Sequence, residues 1–233
     1  KLLKKKNKDI LSIEDEVKKF LEPHFGKSLE QLSEEFDIKI GNDKSKFPNF
    51  IKKFLKQLFK VKNLEDIDEF NKAGISLKTI RLHHNYMPTQ DVSFPAFKFV
   101  DVYSESWEDS SFFNIFHKKF IFVVFKEYKE SFVLTEVKSW RMGKEDLKEI
   151  NRLWKHTRNV IRSGEIVKEI NKKDRPTNFQ NSIGTTVAHI RTHATTTGVT
   201  YPLPVKDVLT GAREYTRHSI YMNKKYVRDI IKK

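Results

Sequence analysis

The sequence predicts a mixed α/β domain, a central mixed sheet flanked by helices. Three observations predict it. Residues 120–125 form an unbroken apolar run, Phe-Ile-Phe-Val-Val-Phe, too short for an ordinary helix and of the composition of a central strand buried on both faces. In residues 75–80, Ile75, Leu77 and Thr79 alternate with Ser76, Lys78 and Ile80, the period-2 pattern of a half-buried strand, and Gly74 closes the turn before it. Residues 44–60 and 143–163 instead carry their apolar residues at helical spacing.

The chain has 233 residues, enough for one large domain with a real core. It contains no cysteine, which excludes disulfides, thiolate metal sites and cysteine nucleophiles. It has no run of eighteen apolar residues and no signal-peptide core, so no membrane partner is expected. Its net charge is +14. Such a balance favours polyanionic partners, nucleic acid first among them, although a lysine-rich source proteome gives the same composition. Nineteen phenylalanines argue against disorder.

In chain order, residues 1–9 read as a basic linker from an upstream domain, and residues 10–233 as the domain itself; the first residue is Lys rather than Met. Ile10–Phe20 has helical spacing with Ser12 as N-cap, ended by Pro23 and Gly26. Ser28 starts a second short helix through Leu29, Leu32 and Phe36, and Gly41-Asn-Asp is a turn. In the helix over 44–60, Pro48 is tolerable only in the first turn. Its lysines, Lys44, Lys46, Lys52, Lys53, Lys56 and Lys60, fit a face that tracks phosphates and fit a solvated helix face equally well.

Arg81–Thr89 is a loop whose His83 and His84 lack a third ligand at metal spacing. Phe94–Val102 alternates and is expected as a strand, and Trp107–Asn114 as a turn or short helix. Ser131–Trp140 is the hairpin partner of the apolar run; its Glu136-Val-Lys138 is expected to be a solvated strand face. The 143–163 helix should end at Gly164. Glu165–Ile170 is expected as a short strand, Asn171–Thr177 as a charged loop, and Val187–Ile190 as a strand opening into a polar loop that begins at Arg191. Tyr201-Pro-Leu-Pro204 is extended, and Arg217–Tyr226 leads from a strand into a basic final helix over 224–233.

The segment from Glu69 to Ile80 carries a specific chemistry. Residues two apart on a strand share a face, so Ser76 and Lys78 point the same way, and Glu69 can return beside them through the turn. Metal-dependent nucleases of the PD-(D/E)xK kind use an acid, a turn, then acid-x-Lys. Their carboxylates hold Mg²⁺, and the metal and lysine activate a water. Here Ser76 stands where the second acid belongs, and a single carboxylate holds Mg²⁺ weakly. An ordinary strand with a solvated lysine gives the same short pattern.

Several separated segments, in order, resemble the MutH family of mismatch-repair and GATC-cutting endonucleases. Gly74-Ile-Ser-Leu-Lys-Thr-Ile80 is similar to the family's Gly-Val-Glu-Leu-Lys-Thr-Ile, and Trp107-Glu-Asp-Ser110 to its Trp-Glu-Thr-Ser. Ile190-Arg-Thr-His193 resembles its Ile-Arg-Pro-Lys, and Arg217–Tyr226 its Arg-Gly-Phe-Tyr-Leu-Lys-Lys-Asn-Phe. The resemblance covers roughly residues 44–230. It implies a restriction-endonuclease-like fold with a DNA-binding cleft. It also implies a catalytic centre that is not intact, with degenerate positions Glu69, Ser76 and Lys78, and no metal site.

DNA contacts are implied for Lys46, Phe94, Arg191, Thr192, His193, Arg217, Tyr221, Lys224 and Lys225, with Tyr221 at the position that reads the GATC adenine and Phe94 lining the groove. A preserved reading surface beside a broken cutting centre is most like the second, degenerate domain of two-domain GATC-cutting type II restriction endonucleases. The implied function is binding of double-stranded GATC as the allosteric effector domain of a type IIE enzyme. The partners are that DNA and the catalytic domain of the same chain. Mg²⁺ serves the catalytic domain rather than this one, the setting is the bacterial cytoplasm, and DNA-dependent dimerisation is compatible with it. The alternative is an active Mg²⁺-dependent endonuclease; a third is a protein-interaction domain that kept the fold and lost DNA.

Overall fold

A computed structural model describes residues 13–42, 46–62, 70, 74–170, 176–180, 185–193 and 199–233. The chain divides into two compact units. The first takes residues up to Gln90, Lys118–Arg141 and Ile230–Lys233; the second takes Asp91–His117 and Met142–Asp229.

In the first unit, helices α1 (Ile13–Leu21), α2 (Leu29–Phe36) and α3 (Lys46–Phe59) precede strand β1 (Ile75–Leu82). Both expected helices are present, α1 running one residue past Phe20 to Leu21 and α3 ending at Phe59 because Lys60 turns to φ 55°; Ser12, Lys44 and residues 1–9 lie outside the described residues. Ser28 caps α2 with a full capping box: its hydroxyl accepts from Gln31 N and the Gln31 side chain accepts from Ser28 N. Pro48 sits in the first turn of α3, where no intrahelical N–H is lost.

Strands β3 (Lys119–Tyr128) and β4 (Ser131–Arg141) complete a sheet of order β1-β3-β4, with β1 parallel and β4 antiparallel to β3. The sheet is mixed, and the apolar run is its central strand: Phe120 to Phe125 are all fully buried. One face of the sheet (Ile75, Ile121, Val123, Phe125 and Leu134) packs in one cluster with Val17 and Leu21 of α1, Leu32 of α2, and Phe47, Phe50, Phe54 and Leu55 of α3. Each such side chain contributes about 1.5–3 kcal/mol by leaving water.

The second unit holds β2 (Val92–Phe97), α4 (Phe99–Ser104), α5 (Ser111–Phe116), α6 (Lys144–Ser163), β5 (Ala188–Thr192), β6 (Thr200–Pro202), β7 (Glu214–Thr216) and β8 (His218–Met222). β8 runs between β2 and β5, antiparallel to both, and β6 pairs with β7. The final helix, α7 (Lys224–Lys232), follows β8 directly. β2 is an edge strand, which is why Pro95 is tolerated there, beside a register shift between Ser93 and Ala96.

Two expectations are corrected. Residues 94–102 are not one strand: β2 ends at Phe97 and α4 begins at Phe99. Phe99 and Val102, three apart, share one helix face and are fully buried, and that spacing overrides the apparent alternation. Residues 165–170 form no strand, only an isolated bridge from Val167 to Thr177. Gly164 does end α6, at φ 72°. The Trp107–Ser110 segment is a cap: Ser110 accepts from Phe113 N and donates to the Trp107 carbonyl, starting α5. No helix among the described residues is long and apolar enough to cross a membrane.

Candidate nucleic-acid interface

The β5–β8 register decides which side chains of the second unit meet. His189 lies opposite Tyr221 and Arg191 opposite Ser219, while Ser93 of β2 also faces Tyr221. Paired residues share a face. The intervening Ala188, Ile190, Ile220 and Met222 are 0–2% exposed and form the core face. The polar residues therefore collect on the other face because the strand period is two.

On that face the Arg191 guanidinium carbon lies 3.9 Å from the centre of the Tyr221 ring. The His189 ring stacks on the same tyrosine at 5.7 Å, and the Tyr221 hydroxyl and His193 Nδ1 share a hydrogen bond of 3.3 Å. Covered in this way, Tyr221 is only 8% exposed, whereas the Arg191 side chain keeps 43% of its surface. Asp91 ties the cluster together. Its carboxylate is 3.5 Å from Arg191 Nη1 and 3.8 Å from His189 Nε2, and it accepts the Lys224 backbone N–H at 2.8 Å. Asn223 donates through Nδ2 to the carbonyls of Thr185 and Thr186, which turns its Oδ1 toward His189 Nδ1. That ring nitrogen must then carry the hydrogen, an assignment made from the network.

An arginine held over an aromatic ring presents a restrained fork of N–H donors, and such a fork bonds guanine O6 and N7 in pairs. The Asp91 pair that restrains it is partly exposed and stabilises by only about 0.2–1 kcal/mol, so a better acceptor can displace it. Lys224 and Lys225 are exposed at the start of α7.

The other expected DNA contacts fall as follows. Arg191 and exposed Thr192 lie in β5, not in the loop after it, because β5 pairs with β8 as far as Thr192 and His218. Arg217 lies 5.8 Å from the Tyr201 ring, and its Nε is buried without a hydrogen-bond partner among the described residues. Phe94 is 3% exposed, edge-on to Phe116 at 5.1 Å; buried in the core of its own unit, it offers almost no surface. Lys46 is exposed at the start of α3 in the first unit. The sequence had not singled out Asp91, His189 and Asn223. The available signal was the spacing of His189, Arg191 and His193, two apart and so on one strand face.

In the first unit, Ser76 is opposite Phe120 and Lys78 opposite Phe122, so Ser76 and Lys78 share a face. Trp140 and Lys138 of β4 flank the same two phenylalanines from the other side. Glu69 lies outside the described residues. Glu136 pairs with Val124 on β3, two strands from β1 and roughly 10 Å across the sheet. Among the described residues no group of three His, Asp or Glu side chains could hold a metal ion. A hard Mg²⁺ cage of carboxylates does not fit the neutral Ser76 and cationic Lys78.

Lys138 is not simply solvated, as its strand position suggested. It donates to the Ile231 carbonyl at 3.0 Å, where the last turn of α7 leaves acceptors unpaired. His83 is 3.2 Å from Glu127, which also accepts the His84 backbone N–H.

No family model matches the chain. In sequence it is similar to the type II restriction enzyme Sau3AI of Staphylococcus aureus, 27% identical over 199 residues that cover 78% of this chain and 41% of that protein. The chain thus spans about two fifths of the length of the curated relative it matches.

Proposed function

We propose that this chain is a duplex-DNA-binding domain of a type II restriction endonuclease. In this proposal its fold is MutH-like, it reads GATC, and it serves as the allosteric effector of a catalytic domain in the same protein. The observation that carries the proposal is the Arg191 fork, half exposed and stacked on Tyr221 beside His193. Arg191 would take a guanine edge, and Tyr221 and His193 would border the neighbouring base. Thr192, Lys224, Lys225 and Lys46 would contact phosphates and make the affinity salt-dependent. The similarity to Sau3AI supports the restriction-enzyme setting. Ser76 at the acid position supports binding without cutting. Mg²⁺ then belongs to the catalytic domain.

The test is a titration against two labelled duplexes, one with GATC and one with the site scrambled. It is run at near-physiological salt with Mg²⁺, and the products are resolved on a denaturing gel. Preferential binding of GATC with intact strands is the expected result. Cut strands would mean an active nuclease with its acids elsewhere. Equal affinity for both duplexes would remove GATC reading and leave a basic DNA-binding domain.

A further inference from the structure

Within the first unit, the C-terminal half of α3 and the segment after α2 enclose an open groove of about 850 Å³ lined by Lys39, Lys53, Lys56, Lys60 and Lys62, with Asp37 as the one acid among the described residues of its lining. We infer that this groove is a second, sequence-independent site for the phosphate backbone of duplex DNA. That inference goes beyond base reading by Arg191 and rests on the proposed function only in naming DNA as the polyanion.

Four observations lead there. The first is charge. Among the described residues of the lining five ammonium groups stand against one carboxylate, and the negative end of the α3 dipole offsets only about half a charge. The second is availability. Among the described residues none of the five lysines is in an ion pair, whereas Lys27 is paired with Glu35 and Lys119 with Glu14 in the same unit. Lysines present only to solubilise a helix are ordinarily interspersed with acids, and α3 contains no acidic residue at all.

The third is spacing. Lys53 and Lys56, three apart, share one face of α3, and Lys60 follows one residue past the helix end at φ 55°, so the row extends over roughly 10 Å. Phosphates along one DNA strand advance about 3.4 Å each, so that row spans about three of them. The fourth is what the lining lacks. It has no aromatic ring on which an unpaired base could stack, the feature that marks single-strand sites. It also has no exposed large apolar side chain for insertion into a membrane surface; Ile38, which lines it, is 4% exposed and belongs to the core. Phosphates of an intact duplex are the ligand that remains.

The test uses the full chain and the scrambled duplex, with affinity measured by fluorescence anisotropy from low to physiological salt. In the triple variant Lys53→Gln, Lys56→Gln, Lys60→Gln, the slope of log K against log salt should shrink by about 2–3, at roughly 0.9 for each phosphate that is no longer neutralised. The ratio of GATC to scrambled affinity should stay at the wild-type value. Glutamine preserves helix propensity. A control variant, Lys144→Gln, Lys155→Gln, Lys168→Gln, removes the same charge from exposed sites in the second unit and should leave the slope within one unit of wild type.

An unchanged slope in the first variant overturns the inference, as does an equal loss in the control, which would reduce the effect to net charge. If the wild type binds both duplexes equally and the groove variant still loses slope, the phosphate site stands and GATC reading falls. If the wild type prefers GATC and the groove variant is unaffected, the reverse holds.

Discussion

Arg191→Lys separates base reading from charge. Lysine keeps the positive charge and most of the length but presents a point charge rather than a planar fork. On the scrambled duplex, affinity and salt slope should stay close to wild type, because one cation still meets the backbone. On GATC, loss of a bidentate guanine contact costs about 1–3 kcal/mol, so the specific-to-nonspecific ratio should fall about 5- to 150-fold. The fold should survive the change. The structural contacts of Arg191 are the 3.5 Å pair with Asp91 and the stack on Tyr221. A partly exposed ion pair contributes about 0.2–1 kcal/mol and an exposed cation–π contact about 0.5–1 kcal/mol. Lysine retains part of both, so the melting temperature should drop by a few degrees at most. Anisotropy titrations of both duplexes, each at three salt concentrations, give the ratio and the slope together. An unchanged ratio refutes Arg191 as the base-reading residue. Parallel loss on both duplexes would show instead that Arg191 holds phosphate.

Three further outcomes follow from the second unit. Asp207 is 1% exposed and accepts the N–H groups of Ile166, Val167 and Thr210 and the Thr210 hydroxyl. Asp207→Ala strands those donors and should destabilise by about 3–5 kcal/mol in urea unfolding, and a loss under 1 kcal/mol would refute that role. Burial pushes the Asp207 carboxyl up, but the hydrogen bonds, led by Val167 N–H, outweigh it and hold the pKa below the usual value. Its contribution is therefore full above the unfolded carboxylate pKa and is lost as pH falls through the lower folded value. His218 is fully buried. Its Nδ1 donates to the Thr216 carbonyl, its Nε2 has no partner among the described residues, and burial pushes its pKa down to about 4. The unfolded chain binds this proton first, so stability should decline by about 3 kcal/mol as pH falls from about 6.5 to about 4. His218→Phe should flatten that part of the profile, and an unaltered profile would rule His218 out. Gly164→Ala forces a side chain onto φ 72° with its Cβ 2.5 Å from the Lys206 carbonyl. The expected loss is about 2–4 kcal/mol by thermal or urea unfolding, and a neutral result would mean that the Lys206 segment yields easily.

Local signals in the chain were strong wherever one interaction dominates. The 120–125 run reads best as a buried strand, and Ser28 and Gly164 sit where a helix end needs a hydroxyl acceptor and a left-handed residue. The sequence misled where two periods overlap. Phe97 and Phe99 alternate as in a strand, yet Phe99 and Val102 pack as in a helix. The division into two units was not legible either, because the first unit borrows 118–141 and 230–233 from far along the chain. At the candidate site, Arg191 and Tyr221 stand out by residue type. Asp91 does not, because its role exists only once strands about a hundred residues apart in sequence bring it to Arg191 and Lys224.

Under the proposed function, binding without cutting, the neutral residue at position 76 has a physical rationale. A carboxylate near a phosphate is attractive only with a cation between them. Without the metal, two anions about 5 Å apart repel by about 3 kcal/mol at an effective dielectric constant near 20. Serine removes that repulsion, while Lys78 on the same strand face still favours phosphate. Ser76→Glu should therefore weaken DNA binding in chelator, by up to about 100-fold if the side chain faces a phosphate directly, and added Mg²⁺ should restore binding without producing cleavage. Mg²⁺-dependent strand breaks in the Ser76→Glu variant would show that the remaining ligands are in place and that a single residue had silenced a working centre.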